Sequence, residues 1–209
     1  MKNGDRRKGR KQQGQDRRPS RPLTPRRVLR GARSYPMEGC WTFPDWQQVG
    51  LAPVVIARRQ PDGNLAFGVY LVDYYLLGVK DTWFNVNIPR RQFYDELLPD
   101  ILNGEPFEIS LALAHEMIYG SIDYASQFGF RPHGDFRETR YLLDLAETLP
   151  RSGRITFGYE GTPFYVQGPD DNPEAILRRL ERTVGEGNYR FLIGSPPPDE
   201  WDDTPDEEA

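Results

Sequence analysis

The sequence predicts an α+β fold, a single domain with two β-hairpins and about four helices, flanked by disordered tails. Three observations carry that expectation. Two stretches rich in β-branched and aromatic residues, each broken by turn residues, lie on either side of a run of helix start and stop signals. These elements show neither a strict strand–helix–strand alternation nor an internal repeat. Charge collects at the two ends, and the apolar residues collect between them.

The expected core begins near Tyr35. Val54–Arg59 is a β-rich run, and Pro61-Asp62-Gly63-Asn64 after it carries turn chemistry. Leu65–Tyr75 then alternates Leu65, Phe67, Val69 and Leu71 with Ala66, Gly68, Tyr70 and Val72. Both sets are mostly apolar, so this strand is expected to be covered on both faces of a hairpin. Pro89 opens a helix through about Leu102, stopped by Asn103-Gly104. Ser110 is the expected cap of a longer helix, Leu111–Phe128, which Gly129 and Pro132 end. Asp135 with Glu138 has capping-box spacing, predicting a further helix to about Leu149. Arg154–Gly158 and Pro163–Gln167 read as a second hairpin around Glu160-Gly161. Asn172-Pro173 starts the last helix, which stops at Gly185 or Gly187, and Tyr189–Ile193 reads as a final strand.

Residues 1–34 hold 13 Lys or Arg against two acids, a net charge of +11. Residues 196–209 hold seven acids and no base, and residues 35–195 carry a net −8. With almost no apolar residues, neither end buries enough surface to offset its ordering entropy. The expected organisation is a disordered basic arm (1–34), an α+β globular domain (35–195) and a disordered acidic tail (196–209), whose one apolar group is Trp201. The basic start lacks the continuous apolar segment of a signal peptide, and no stretch approaches the roughly 20 apolar residues of a membrane helix. The single cysteine, Cys40, forms no internal disulfide. Together these predict a cytoplasmic protein with no membrane partner.

Both histidines fall between Leu111 and Phe136. On a regular helix His115, Tyr119 and Asp123 form a stripe. His115 beside Asp123 would suit a base oriented by a carboxylate. With His133 and Asp135, the pair would suit a transition metal. Tyr119 stands where a zinc-protease helix needs its second histidine. The plainer reading puts His115 on the apolar face of Leu111, Ile118 and Ile122 as a hydrogen-bonded core residue. Asp135 is then a helix cap and His133 an exposed loop residue.

Cys40 is a candidate nucleophile if a base lowers its pKa, and otherwise a small buried apolar group. Lys80 is the only lysine among the 14 bases of the middle block. A loop after the long apolar strand would present Lys80-Asp81, either as a compact reactive ammonium or as a surface ion pair. No Walker loop or dinucleotide glycine pattern occurs, so no motif names a cofactor.

Three segments, GVYLVDYYLLGVKDTWF (68–84), AHEMIYGSIDYASQFGFRPHGDF (114–136) and GTPFYVQGPDDN (161–172), resemble a group of bacterial proteins of unassigned function. Some of that group carry an added cysteine-rich zinc-binding tail. The resemblance spans roughly residues 37–193 and implies no activity, cofactor or catalytic residue. Here an acidic end stands in place of a cysteine-rich tail.

Two functional readings follow. One is a non-catalytic accessory domain that binds a partner. Its arm, through Arg6, Arg7, Lys8, Arg10, Lys11, Arg17, Arg18, Arg26 and Arg27, would contact RNA, DNA or ribosomes by counterion release. The other is a hydrolase-type enzyme using His115 and Asp123 with Lys80 or Cys40, with or without a metal.

Overall fold

The main sheet is built from β1 (Met37–Thr42), β2 (Leu51–Arg59), β3 (Leu65–Asp73), β4 (Gly78–Ile88) and β5 (Phe107–Ile109). In the computed structural model, which describes residues 24–194, they lie antiparallel in the order β4-β3-β2-β1-β5. The β2–β3 hairpin is the one expected. Its turn is closed by the Gly63 N–H on the Gln60 carbonyl and by Asp62 accepting from the Asn64 N–H.

Strand alternation decides what covers each face. Ala52, Val54, Ile56, Tyr70 and Val72 point to one side, where Ala114, Met117 and Ile118 pack. Val55, Ala57, Leu65, Phe67 and Val69 point to the other, against Phe93, Leu98 and Leu102. The sheet is therefore sandwiched between a helix over 111–127 and a helix over 90–102. Ser110 caps the first, its side chain accepting from the Leu113 N–H, and Gly129 ends it in the left-handed region. Each helix contains a π turn, Phe93–Leu97 in one and Glu116–Gly120 in the other. In the 90–102 helix the wide turn falls just before Pro99, which has no N–H to donate and crowds the preceding turn.

Four expectations need correction. First, the disordered arm does not extend to residue 34. Pro25–Gly31 is a helix followed by a 3₁₀ turn, Ala32–Ser34, and Val28, Leu29 and Ala32 are buried against Ala66, Val86 and Leu142. Pro25 at the first helical position is a start signal, but it is diluted by the cationic composition around it. Residues 1–23, with Arg6, Arg7, Lys8, Arg10, Lys11, Arg17 and Arg18, and residues 195–209, with Trp201, lie outside the described residues.

Second, β1, β4 and β5 join the sheet. Lys80 and Asp81 sit within β4, at a register shift opposite Leu71 and Val72, rather than in a loop. Polar residues at 80, 81, 85 and 87 mask this edge strand in the sequence. Third, the helix after Asp135 is one turn long, Phe136–Thr139, and the Asp135 side chain makes no cap bond. Beyond it, side chains take the carbonyls that a continuing helix would use. Arg33 takes those of Arg140 and Leu143, Arg58 that of Leu142, and Tyr119 that of Asp144.

Fourth, the second hairpin is not at residues 154–167; it is β3–β4, which pair antiparallel across the turn between Asp73 and Gly78. Gly158, Glu160 and Gly161 have positive φ, and only Tyr159 bridges to Thr162. Instead β6 (Phe164–Val166) pairs in parallel with β7 (Arg190–Leu192), with the helix Pro173–Val184 between them. Asn172 caps that helix, accepting from the Ala175 N–H. Its Ile176, Leu177 and Leu180 pack on Leu76, Phe128 and Tyr165. The class is α+β as expected.

Candidate functional site

His115 holds a loop in place. Its Nε2 accepts the Asp144 backbone N–H at 3.2 Å, which leaves the ring proton on Nδ1, a buried atom with no partner among the described residues. The residue is 4 % exposed, and burial holds its pKa below the usual imidazole value. Asp144 is a hub. Its N–H goes to His115, its carbonyl accepts from the Tyr119 hydroxyl, and its carboxylate takes Arg58 Nη2 at 2.7 Å. Arg58 is itself buried and donates to the carbonyls of Arg33, Tyr35 and Leu142.

Asp123 does not share this environment. The π turn Glu116–Gly120 breaks the regular spacing of the stripe, and Asp123 is exposed, paired with Arg151 at 2.6 Å. Lys80 bonds Asp171 Oδ2 at 2.8 Å in a mostly buried pair. Burial pushes the Asp171 carboxyl up, but the bonds from Lys80 and the Gly168 N–H outweigh it and hold it low. The pair ties β4 to the loop before the last helix, which is a different task from nucleophilic attack. Cys40 in β1 is 2 % exposed, and burial pushes its thiol up to about 12, the wrong direction for a thiolate nucleophile. The expected set of His115, Asp123, Lys80 and Cys40 is thus divided among separate partners.

The metal set is likewise dispersed. His133 is an exposed loop residue, 3.8 Å from Asp81 and 4.0 Å from Asp135, while His115 and Asp123 have the partners above. Among the described residues no group of three or more His, Cys, Asp or Glu is placed to hold an ion.

The fold does assemble a cationic hollow. Where the helix Pro25–Gly31 packs near Phe136–Thr139, a cavity of about 430 Å³ is lined by Arg26, Leu29, Arg30, Arg137, Glu138, Arg140 and Tyr141. Its lining has four arginines and one acid, Glu138, which pairs with Arg26 at 3.1 Å. Arg140 lies over the Tyr141 ring at 5.7 Å. Arg137 Nε donates to the Gly134 carbonyl, and Arg30 has no ion-pair partner among the described residues. Guanidinium forks near an aromatic face suit phosphate oxygens and stacked rings. The sequence marks Arg26 and Arg27 as part of the arm. It gives no sign that Arg137 and Arg140, more than a hundred positions on, complete a pocket with that helix.

No helix among the described residues is long and apolar enough to cross a membrane. Fold and hollow together define an α+β domain with a cationic surface site. Compared with models of known families, with curated proteins and with solved structures, the chain matches none of them.

Proposed function

We propose that this chain is a cytoplasmic, non-catalytic binding domain that contacts anionic nucleic acid, free or within ribosomes. The contact runs through its basic N-terminal segment and continues onto the folded body. The supporting observation is the arginine-lined hollow of Arg26, Arg30, Arg137 and Arg140, built partly by the last turns of that basic segment. Nine further Lys or Arg precede it in residues 1–23. Cations along a flexible or grooved surface neutralise phosphates and release counterions, which gives affinity without sequence preference. The net −8 of residues 35–195 disfavours the same polymer over much of the rest of the body.

The test is a fluorescence-anisotropy titration of labelled single-stranded RNA at several salt concentrations. It compares the full chain with one lacking residues 1–23. The cut must fall before Thr24, because Val28, Leu29 and Ala32 belong to the core. Removing nine cations should weaken binding and flatten the salt slope, by roughly 0.7 for each phosphate that is no longer neutralised. Equal affinity and equal slope would defeat the proposal.

A further inference from the structure

A second hollow, away from the arginines, has walls of a different kind. Trp46, Gln47, Tyr74, Tyr75, Arg154 and Ile155 surround about 220 Å³ between the short helix Trp46–Val49, the end of β3 and the 152–156 loop. A neighbouring hollow of about 290 Å³ shares Trp46, Gln47, Arg154 and Ile155 with it and runs on to Ser110 and Ser152. From this cleft we infer a binding site for a small planar organic anion, an aromatic carboxylate in chemical class.

The walls favour a flat ring. Trp46 and Tyr74 pack with ring centroids 5.4 Å apart. Tyr75 is fixed over Gly50, which has a φ of 73° and where an added Cβ would collide with the Tyr75 ring. Rigid aromatic walls stack on flat ligands at little entropic cost. The volume is below that of drug-sized pockets, so the ligand is small.

The polar groups decide the charge. The Arg154 backbone N–H donates to the Ser152 hydroxyl, but its guanidinium has no ion-pair or hydrogen-bond partner among the described residues. A carboxylate would meet its fork in the bidentate geometry that a guanidinium offers. Three aromatic rings are also what a cation cage uses. The acids that a cage would need are occupied, however. Glu116, which lines the adjoining hollow, accepts the Ser152 N–H at 2.9 Å and its hydroxyl at 2.6 Å. Asp73 faces its own turn, accepting from the N–H groups of Tyr75 and Leu76. Arg154 at the rim repels a cation.

The test uses the full chain and four probes: benzoate, its neutral isostere benzamide, the cation benzamidine, and inorganic phosphate. Binding is read from the Trp46 indole N–H in a two-dimensional NMR spectrum, assigned with Trp46→Phe. Benzoate should shift that signal saturably, benzamide should bind more weakly, and benzamidine and phosphate should leave it in place. Arg154→Ala removes an exposed side chain and should weaken benzoate roughly tenfold or more, with Arg154→Lys in between. An unmoved Trp46 signal would overturn the inference. So would benzamidine or phosphate binding as well as benzoate, or benzoate affinity unchanged in Arg154→Ala.

Discussion

His115 and Asp73 are buried titratable groups whose effects on stability run in opposite directions. Neutral His115 accepts from Asp144, and a protonated ring would set a donor against that donor. Its folded pKa lies below the ordinary 6.5, so its contribution is complete above that pH and is lost as pH falls through the folded value. His115→Gln should therefore lose less stability than the native chain between pH 7.5 and pH 5 in urea unfolding. Parallel pH profiles would refute this role. Burial pushes Asp73 up to about 6 from 3.8, despite the two backbone N–H groups on its carboxyl. A raised acid contributes most when protonated, so stability tied to Asp73 is full below pH 3.8 and is lost as pH rises through about 6. Asp73→Asn keeps an acceptor for those N–H groups and should remove this dependence, which the same unfolding series would detect. Arg58 is a third case. Arg58→Ala strands the Asp144 carboxylate and three carbonyls, and should cost about 3–5 kcal/mol in denaturant unfolding. A loss below about 1 kcal/mol would mean that the Asp144 loop is held by something else.

Elements whose signals are local are legible in the sequence. The Pro61–Asn64 turn, the Ser110 and Asn172 caps, the Asn103 stop and both covered faces of β3 each depend on a few neighbouring residues. The apolar face of Leu111, Ile118 and Ile122 also marks His115 as a core residue, though its partner Asp144 lies 29 positions away. What the sequence hides depends on distant groups. The helix expected to reach Leu149 stops after Thr139 because Arg33, Arg58 and Tyr119 claim the following carbonyls. The Asp123 stripe fails because a π turn, which has no composition signal, intervenes at Glu116–Gly120. β6 finds its partner across a helix in β7 rather than across the Glu160-Gly161 turn. The N-terminal helix is concealed by its own arginines, although Val28, Leu29 and Ala32 form a narrow apolar stripe. Its docking has a direct test. Leu29→Ala leaves a cavity against Ala66, Val86 and Leu142 and should destabilise the whole domain by about 2–5 kcal/mol. A fully exposed Leu29 would give no change.

Across the whole molecule, charge is arranged by position. Cations concentrate in residues 1–34 and, through the fold, at Arg137 and Arg140; a separate arginine group, Arg178, Arg179 and Arg182, lies on the last helix, and residues 35–195 as a whole carry a net −8. We propose that the packed helix Pro25–Gly31 carries RNA contact from the basic segment onto the body. That continuity is the central claim, and the full chain carrying Arg30→Ala and Arg137→Ala tests it most directly, since residues 1–23 are intact and the core is untouched. The measurement is the dependence of log Kd for single-stranded RNA on log salt concentration. If the hollow engages phosphate, the double variant binds more weakly, with a slope shallower by roughly 0.7 for each of the one or two phosphates it releases. Affinity and slope equal to those of the native chain would contradict the account and leave RNA contact to residues 1–23 without the hollow.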